Sequence, residues 1–298
     1  GSNLPVMFAI RLNTDGNLDS TFGTDGKVTV SFGGVDVGGA VAVSRQSDGK
    51  LVLAGITDDP VTFRDFAVAR LNIDGSLDSA FGAGGKVKTN VDRSDGMSDA
   101  IIQPDGKIVA TGYSNTGSKI ALVRYNTNGT LDSAFGIGGI VQTSPTTGEN
   151  FGNTVAFQPD NKLLVGGSCG FFPNRRFTIV RYLADGAIDP SFGANGIVLT
   201  PIGPNSLDNP AKLLLQQDGK VVLAGDSFNV NTNDTDIVLV RYLNDPVAPA
   251  VRSPFDFDGD GKTDLSIFRP NGAASEWWWL KSSTGGNAAL QFGSSTDL

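Results

Sequence analysis

One pattern returns along this chain every 54 to 60 residues, and nothing else in the sequence limits the fold as sharply. Its first anchor is an apolar run ending near an arginine, at residues 8–12, 66–71, 120–125, 177–182 and 237–242, with the arginines at 11, 70, 124, 181 and 241. The first four runs are followed by a turn and then by Asp-x-x-Phe-Gly, beginning at Asp19, Asp78, Asp132 and Asp189. The third anchor is a hairpin turn: Asp48-Gly49-Lys50, Asp105-Gly106-Lys107, Asp160-Asn161-Lys162 and Asp218-Gly219-Lys220. Coupled anchors at one period describe a single structural unit stacked repeatedly. Each interval holds about four strand-like runs, for example 98–103, 107–112, 120–125 and 139–143, and four short strands make one propeller blade. No long stretch keeps the i, i+3, i+4, i+7 apolar spacing, which excludes helical solenoids.

Composition supports this reading. Of 298 residues 39 are Gly and 14 are Pro, the signature of many tight turns between short elements. The 31 acidic and 23 basic residues leave a net charge of −8, which repels phosphate backbones and anionic lipid, so no nucleic-acid partner is expected. The chain contains no His, which removes Ser-His-Asp and Cys-His nucleophiles and imidazole metal sites. The single cysteine, Cys169, has no disulfide partner in the chain and reads as a small buried residue. No apolar run reaches the roughly 18 residues of a membrane helix, so no membrane insertion is expected. The first residues show no basic-then-apolar signal pattern, and Gly1-Ser2-Asn3 fits a cleavage product, left by a removed signal, or an expression scar.

Residues 69–82, ARLNIDGSLDSAFG, and 216–225, QQDGKVVLAG, resemble the delta-60 repeat, a bacterial β-propeller repeat. The resemblance covers about residues 8–243 and implies an all-β propeller of four-stranded antiparallel blades. Five blade equivalents are the simplest count, with six or an open fragment as alternatives.

After Tyr242 the pattern breaks. Residues 244–254 carry three prolines and read as a linker, and a new module occupies 255–298. Its first loop places Asp256, Asp258, Asp260 and Asp264 at positions 1, 3, 5 and 9, with the Lys262 carbonyl at position 7 and Gly261 in the turn. Hard oxygen ligands at that spacing converge on Ca²⁺. Position 12 is Ile267 where an EF-hand needs Glu, so the EF-hand reading fails. The loop, with residues 265–270, 276–280 and 291–293, resembles an FG-GAP or VCBS-type repeat, which implies a bound Ca²⁺. The alternative is an Asp-rich turn without an ion. The three C-terminal runs lack a fourth strand, which residues 8–12 could supply, completing the same propeller and removing an exposed edge.

The recurrent Arg and Asp stand eight residues apart, a spacing that suits a structural ion pair, with a ligand-binding ring of arginines as the alternative. Each Phe of Phe-Gly reads as a plug between blades, and the segments at 13–16, 72–75 and 126–129 as hydrogen-bonded turns, with short Ca²⁺ loops as the alternative, which the fourth copy at 183–186 weakens by lacking the Asn. In the run Trp277-Trp278-Trp279, strand alternation sets Trp278 on the face opposite its neighbours, either as a contact for sugar rings or proteins or as inter-blade packing. Insertions at 58–64, 168–176 and 227–236 fall between the same two strands of successive repeats and read as loops on one side. Phe171, Phe172, Arg175 and Arg176 give one of them a binding-like mixture of aromatic and guanidinium groups. The alternative is a loop that covers a blade edge. The expected function is a bacterial, secreted or cell-surface binding or adhesion module with a structural Ca²⁺, contacting protein or glycan. Because no catalytic constellation is recognisable, it is not expected to be an enzyme. Two alternatives remain: a surface protein that self-associates through its terminal edges, and a polysaccharide-active enzyme with paired channel carboxylates.

Overall fold

The computed structural model describes residues 7–33, 38–114 and 117–243, and the backbone of three later strands, 265–271, 274–280 and 287–292. The loop 256–264, with every residue of the expected Ca²⁺ site, and the linker 244–254 lie outside the described residues. The chain divides into two units, residues 1–157 with 184–187, and residues 158–183 with 188–298. All described elements are strands.

The first unit opens with β1 (Met7–Ile10) and β2 (Lys27–Val30), an antiparallel pair. Two four-stranded antiparallel sheets follow in sequence order: β3 (Gly39–Arg45), β4 (Leu51–Asp59), β5 (Phe63–Leu71) and β6 (Lys86–Thr89), then β7 (Gly96–Ile102), β8 (Ile108–Ser114), β9 (Lys119–Tyr125) and β10 (Ile140–Thr143). Strand β11 (Glu149–Phe157) ends the unit. In the second unit β12 (Leu163–Phe171), β13 (Asn174–Tyr182) and β14 (Ile197–Thr200) pair antiparallel. They are followed by β15 (Ser206–Leu215), β16 (Val221–Asn229) and β17 (Asp234–Tyr242). Finally β18 (Leu265–Asn271), β19 (Ala274–Leu280) and β20 (Asn287–Phe292) continue that sheet.

The expected repeat is visible in the register. Four residues before each strand-end arginine, Met7 pairs with Val30, Phe66 with Thr89, Ile120 with Thr143, Phe177 with Thr200 and Ile237 with Phe268. Thus β18 takes on β17 the place that β6 takes on β5. The C-terminal strands extend an existing sheet, and residues 7–10 pair with 27–30 of their own repeat.

The Asp-Gly-Lys turns close as their residues require. Gly49, Gly106 and Gly219 have φ between +83° and +89°, and Asn161 takes the same left-handed place at +65°. Just before the third anchor, β3, β7 and β15 each carry a bulge, at Ala40/Ala42, Met97/Asp99 and Pro210/Lys212. A bulge tolerates the missing Pro210 amide.

In the first unit the core consists of sheet faces that meet. Val52, Ala54, Phe66, Val68 and Phe81 pack with Met97, Ile108, Ala121, Val123 and Tyr125, all buried. Buried tyrosines find partners for their hydroxyls: Tyr125 donates to Thr89 Oγ1 at 2.9 Å, and Tyr242 Oη lies 3.0 Å from Thr200 Oγ1. Cys169 is buried on β12.

The insertions differ from expectation. They lengthen hairpins, giving strands β4, β5, β12, β13, β16 and β17 of nine residues each, and leave only 60–62, 172–173 and 230–233 as connections. Backbone pairing persists through their charged residues, supported by contacts such as Arg64 Nε to Asp58 at 3.5 Å.

Candidate functional site

The anchors of each repeat assemble into a clamp. Arginine Nε meets the carboxylate of the Asp eight residues on at 2.7 Å for Arg11–Asp19, Arg70–Asp78 and Arg124–Asp132, and at 2.8 Å for Arg181–Asp189. Each guanidinium lies over the Phe of Phe-Gly, 4.3 to 4.7 Å from the ring centre. A lysine from the Asp-Gly-Lys turn reaches the same carboxylate: Lys50 to Asp78 and Lys107 to Asp132 at 2.9 Å, and Lys162 to Asp189 at 3.3 Å. The other carboxylate oxygen accepts the amide two residues on, from Ala80, Ala134 and Ser191. Burial pushes the Asp189 carboxyl up, but the Ser191 hydroxyl and amide with Arg181 and Lys162 outweigh it and hold its pKa at about 2. With each carboxylate so fully engaged, the arrangement is a structural ion pair, as the spacing suggested.

The clamp also latches one repeat to the next. Arg11 Nη1 donates to the Ile73 carbonyl, Arg70 Nη1 to Thr127 and Arg124 Nη1 to Ala184, the last at 2.6 Å. Beside these bonds the amides of Gly23, Gly82 and Gly136 donate to the carbonyls of Asp74, Asn128 and Asp185. The turns receiving them are held by side-chain oxygens: Asp74 Oδ1 accepts the Ser76 amide at 2.9 Å, and Asn128 and Asp185 do likewise for Thr130 and Ala187. The turns at 72–75 and 126–129 are those expected from sequence, and 183–186 closes in the same way although it lacks the Asn. A shallow cavity of about 510 Å³ opens where the first clamp meets the second turn, lined by Arg11, Thr21, Lys50 and Asn72–Asp74 among others.

Sequence reasoning missed a buried cap. Eight residues before the Gln that opens the second, third and fourth hairpin turns (Gln103, Gln158, Gln216) stand Asp95, Asn150 and Asp208, all fully buried. Asp95 accepts the Val91 amide at 2.7 Å, Asn150 the Thr146 amide at 3.0 Å and Asp208 the Ile202 amide at 3.1 Å. Each ties down the segment entering the first strand of a repeat. Burial raises Asp208, and it raises Asp95 to about 6 although the Asp92 and Val91 amides oppose it. Their constant offset from Gln was the available signal.

The residues singled out for ligand contact cluster at the end of one hairpin. Register pairs Phe171 with Asn174, Gly170 with Arg175 and Cys169 with Arg176. Alternation therefore puts Phe171 and Arg176 on one face and Arg175 on the other. Phe172, at the two-residue connection to Pro173, is 71% exposed and Phe171 62%; Arg176 is exposed and Arg175 half-buried. Asn174 Oδ1 accepts the Asn205 amide at 3.1 Å, tying the hairpin end to the segment before β15. Trp278 lies on β19, its backbone opposite Ile267 and Ala289.

Four-stranded antiparallel sheets carrying one repeated latch define a repeat β-propeller. The chain belongs to the beta-propeller family described as a domain of unknown function, DUF5122, whose sequence model matches residues 5–22, 46–81, 103–135, 158–192 and 216–245, just over half of the chain. The second to fourth segments each run from the hairpin-turn region to the clamp Phe. Comparison with curated proteins gives no match. Among solved structures the chain is similar to the polysaccharide lyase Uly1, with 10% identity and a TM-score of 0.45 over 87% of this chain and 74% of that one. An endo-arabinase from Bacteroides thetaiotaomicron shows 10% identity and a TM-score of 0.42, over 84% and 92%. The β-propeller domain of the Trilobed protease from Pyrococcus furiosus shows 10% and 0.39, over 87% and 72%.

Proposed function

We propose that this β-propeller is a non-catalytic binding or adhesion module of the bacterial surface or exterior, with repeats of delta-60 type and a C-terminal FG-GAP or VCBS-type unit that holds a structural Ca²⁺. The observation that carries the binding role is the exposed Phe171, Phe172 and Arg176 at the end of a hairpin whose strands are paired along their whole length. Aromatic faces and a guanidinium on a rigid support suit sugar rings or a protein anchor, because little side-chain freedom is lost on contact. Support for Ca²⁺ is the oxygen spacing of Asp256, Asp258, Asp260, the Lys262 carbonyl and Asp264.

A glycan array probed with the chain and with a Phe171→Ala, Phe172→Ala, Arg176→Ala triple variant tests the hairpin. The expected result is selective binding that the triple variant loses; no binding, or binding unchanged in the variant, overturns the assignment. Product release from any glycan bound would overturn the non-catalytic part. Calorimetric Ca²⁺ titration of metal-stripped protein tests the ion, with one saturable event expected and its loss in Asp258→Ala and Asp260→Ala. Absence of heat and of thermal stabilisation by Ca²⁺ would remove the metal from the proposal.

A further inference from the structure

The 31 acidic residues of the chain are not spread evenly over its repeats. No Asp or Glu stands between Asp160 and Asp185 or between Asp189 and Asp208, and these two stretches contain all of β12, β13 and β14. Their cations are Lys162, Arg175, Arg176 and Arg181. Lys162 and Arg181 serve the clamp, both reaching Asp189, which leaves Arg175 and Arg176 at the end of the hairpin. The corresponding hairpins are acidic, with Asp58, Asp59 and Asp65 in β4 and β5, and Asp226, Asp234 and Asp236 in β16 and β17.

Register separates these two arginines from a hairpin arginine that only supports its strands. Arg64 stands six residues before the strand-end Arg70 and has Asp58 opposite, at 3.5 Å. Arg175 holds the same place before Arg181, but the residue opposite is Gly170, and Arg176 is opposite Cys169. Arg176 is exposed and makes no ion pair with any described residue. It is the diagonal neighbour of Phe171 on one face of the hairpin, a separation that an aromatic and a long side chain can bridge. A solvent-facing guanidinium whose own strands offer no carboxylate presents its fork to an anion from outside.

We propose, on the basis of the hairpin-end binding reading, that the ligand is an acidic saccharide: Arg176 pairs with a carboxylate or sulfate of the sugar chain, and Phe171 beside it packs on the ring that bears this group. Phe172 at the tip supplies a second aromatic surface. The positive surface is small. Register runs across the sheet from Arg175 to Leu207, Phe228 and Thr235, so the acidic hairpin with Asp234 and Asp236 bounds it three strands away, about 14 Å at ordinary strand spacing. That span suits a few sugar units, whereas a stable protein partner covers about 800 Å². The flanking carboxylates repel an anion placed anywhere but beside the two arginines, which fixes where the charged group sits.

Calorimetric titration of the full chain tests this, with polygalacturonate and dextran sulfate as the carboxylate and sulfate probes, galactan and dextran as neutral counterparts, and polyglutamate as an acidic polymer without sugar. One acidic polysaccharide is expected to bind about tenfold or more tightly than its neutral counterpart and than polyglutamate. Arg176→Gln should lose about tenfold in that affinity while melting at the wild-type temperature, and Arg176→Lys, which keeps the charge without the fork, should fall between the two. Neutral and acidic forms binding alike, or acidic binding lost in Phe171→Ala but intact in Arg176→Gln, overturns the acidic class and leaves the hairpin reading standing. Polyglutamate binding as tightly as the polysaccharides overturns the saccharide. Acidic binding indifferent to the Phe171, Phe172 and Arg176 substitutions alike overturns both readings. Absence of binding to all four polysaccharides overturns the acidic-saccharide assignment, and the glycan array with the triple variant then decides the hairpin reading by itself.

Discussion

Arg124 stacks on Phe135, pairs with Asp132 and donates to the Ala184 carbonyl, and a lysine in its place would keep the charge while losing the fork and the plane. Arg124→Lys is expected to cost about 2 kcal/mol in urea unfolding, since it leaves a buried carboxylate and a carbonyl poorly matched. Arg11→Lys should cost clearly less, because the Arg11 side chain is 30% exposed and its carboxylate lacks a capping lysine among the described residues. Equal losses at the two sites would mean that burial does not set the clamp's strength. Asp95 gives a pH signature of opposite sign to Asp189. With its pKa raised to about 6, folded protein holds a proton that the unfolded chain has released between about pH 4 and 6, so this contribution to stability falls as pH rises through that window and is level above it. Asp189, held at about 2, loses its contribution as pH falls from about 4 towards 2. Asp95→Asn keeps an acceptor for Val91, as Asn150 does for Thr146, and should flatten the pH 4 to 6 segment of a plot of urea midpoint against pH; an unchanged segment would assign the slope elsewhere. The Arg–Asp clamp was readable because both partners recur at fixed spacing. Its capping lysine was not, because Lys50 and Asp78 belong to separate motifs that only the fold brings together.

Among the elements, the turn between the third and fourth strands is the sensitive one. Gly129 has φ of +87° and a Cβ there would stand 2.9 Å from the Gly82 amide nitrogen and 3.1 Å from the Phe81 ring; Gly16 has φ of +85° and open space. Gly16→Ala is expected to lose about 1 kcal/mol, the cost of a left-handed alanine. Gly129→Ala should lose that and about 1–3 kcal/mol more for overpacking. Thermal or urea unfolding of the two variants side by side isolates the difference, and equal losses would mean that the Phe81 ring and its neighbours yield freely. Strand number and order were legible because the anchors punctuate them. The hairpin lengths were not: Asp58, Asp59 and Asp65 are residues typical of turns, yet they sit in paired strands, where Lys88 donates to Asp59.

At the scale of the whole molecule, a repeated sequence shows its fold because each repeat makes the same two faces and meets only its neighbours within a unit. Which faces stay uncovered was not legible, since Ile10 and Val123 read alike as strand residues and differ in what lies opposite. The same limit applies to Phe171 and Phe172, whose exposure depends on how far the hairpin extends beyond its sheet. Removing Ca²⁺ by chelation is expected to lower the first thermal transition if the C-terminal loop holds an ion, with Asp260→Ala already at the lower value; a transition indifferent to chelator would count against it. One property of the latch reaches further. Its acceptors sit on Ile73, Thr127 and Ala184, which share no side-chain chemistry, because only the carbonyl is used. A tip that joins through its backbone leaves its side chains free to drift, so repeats become interchangeable parts.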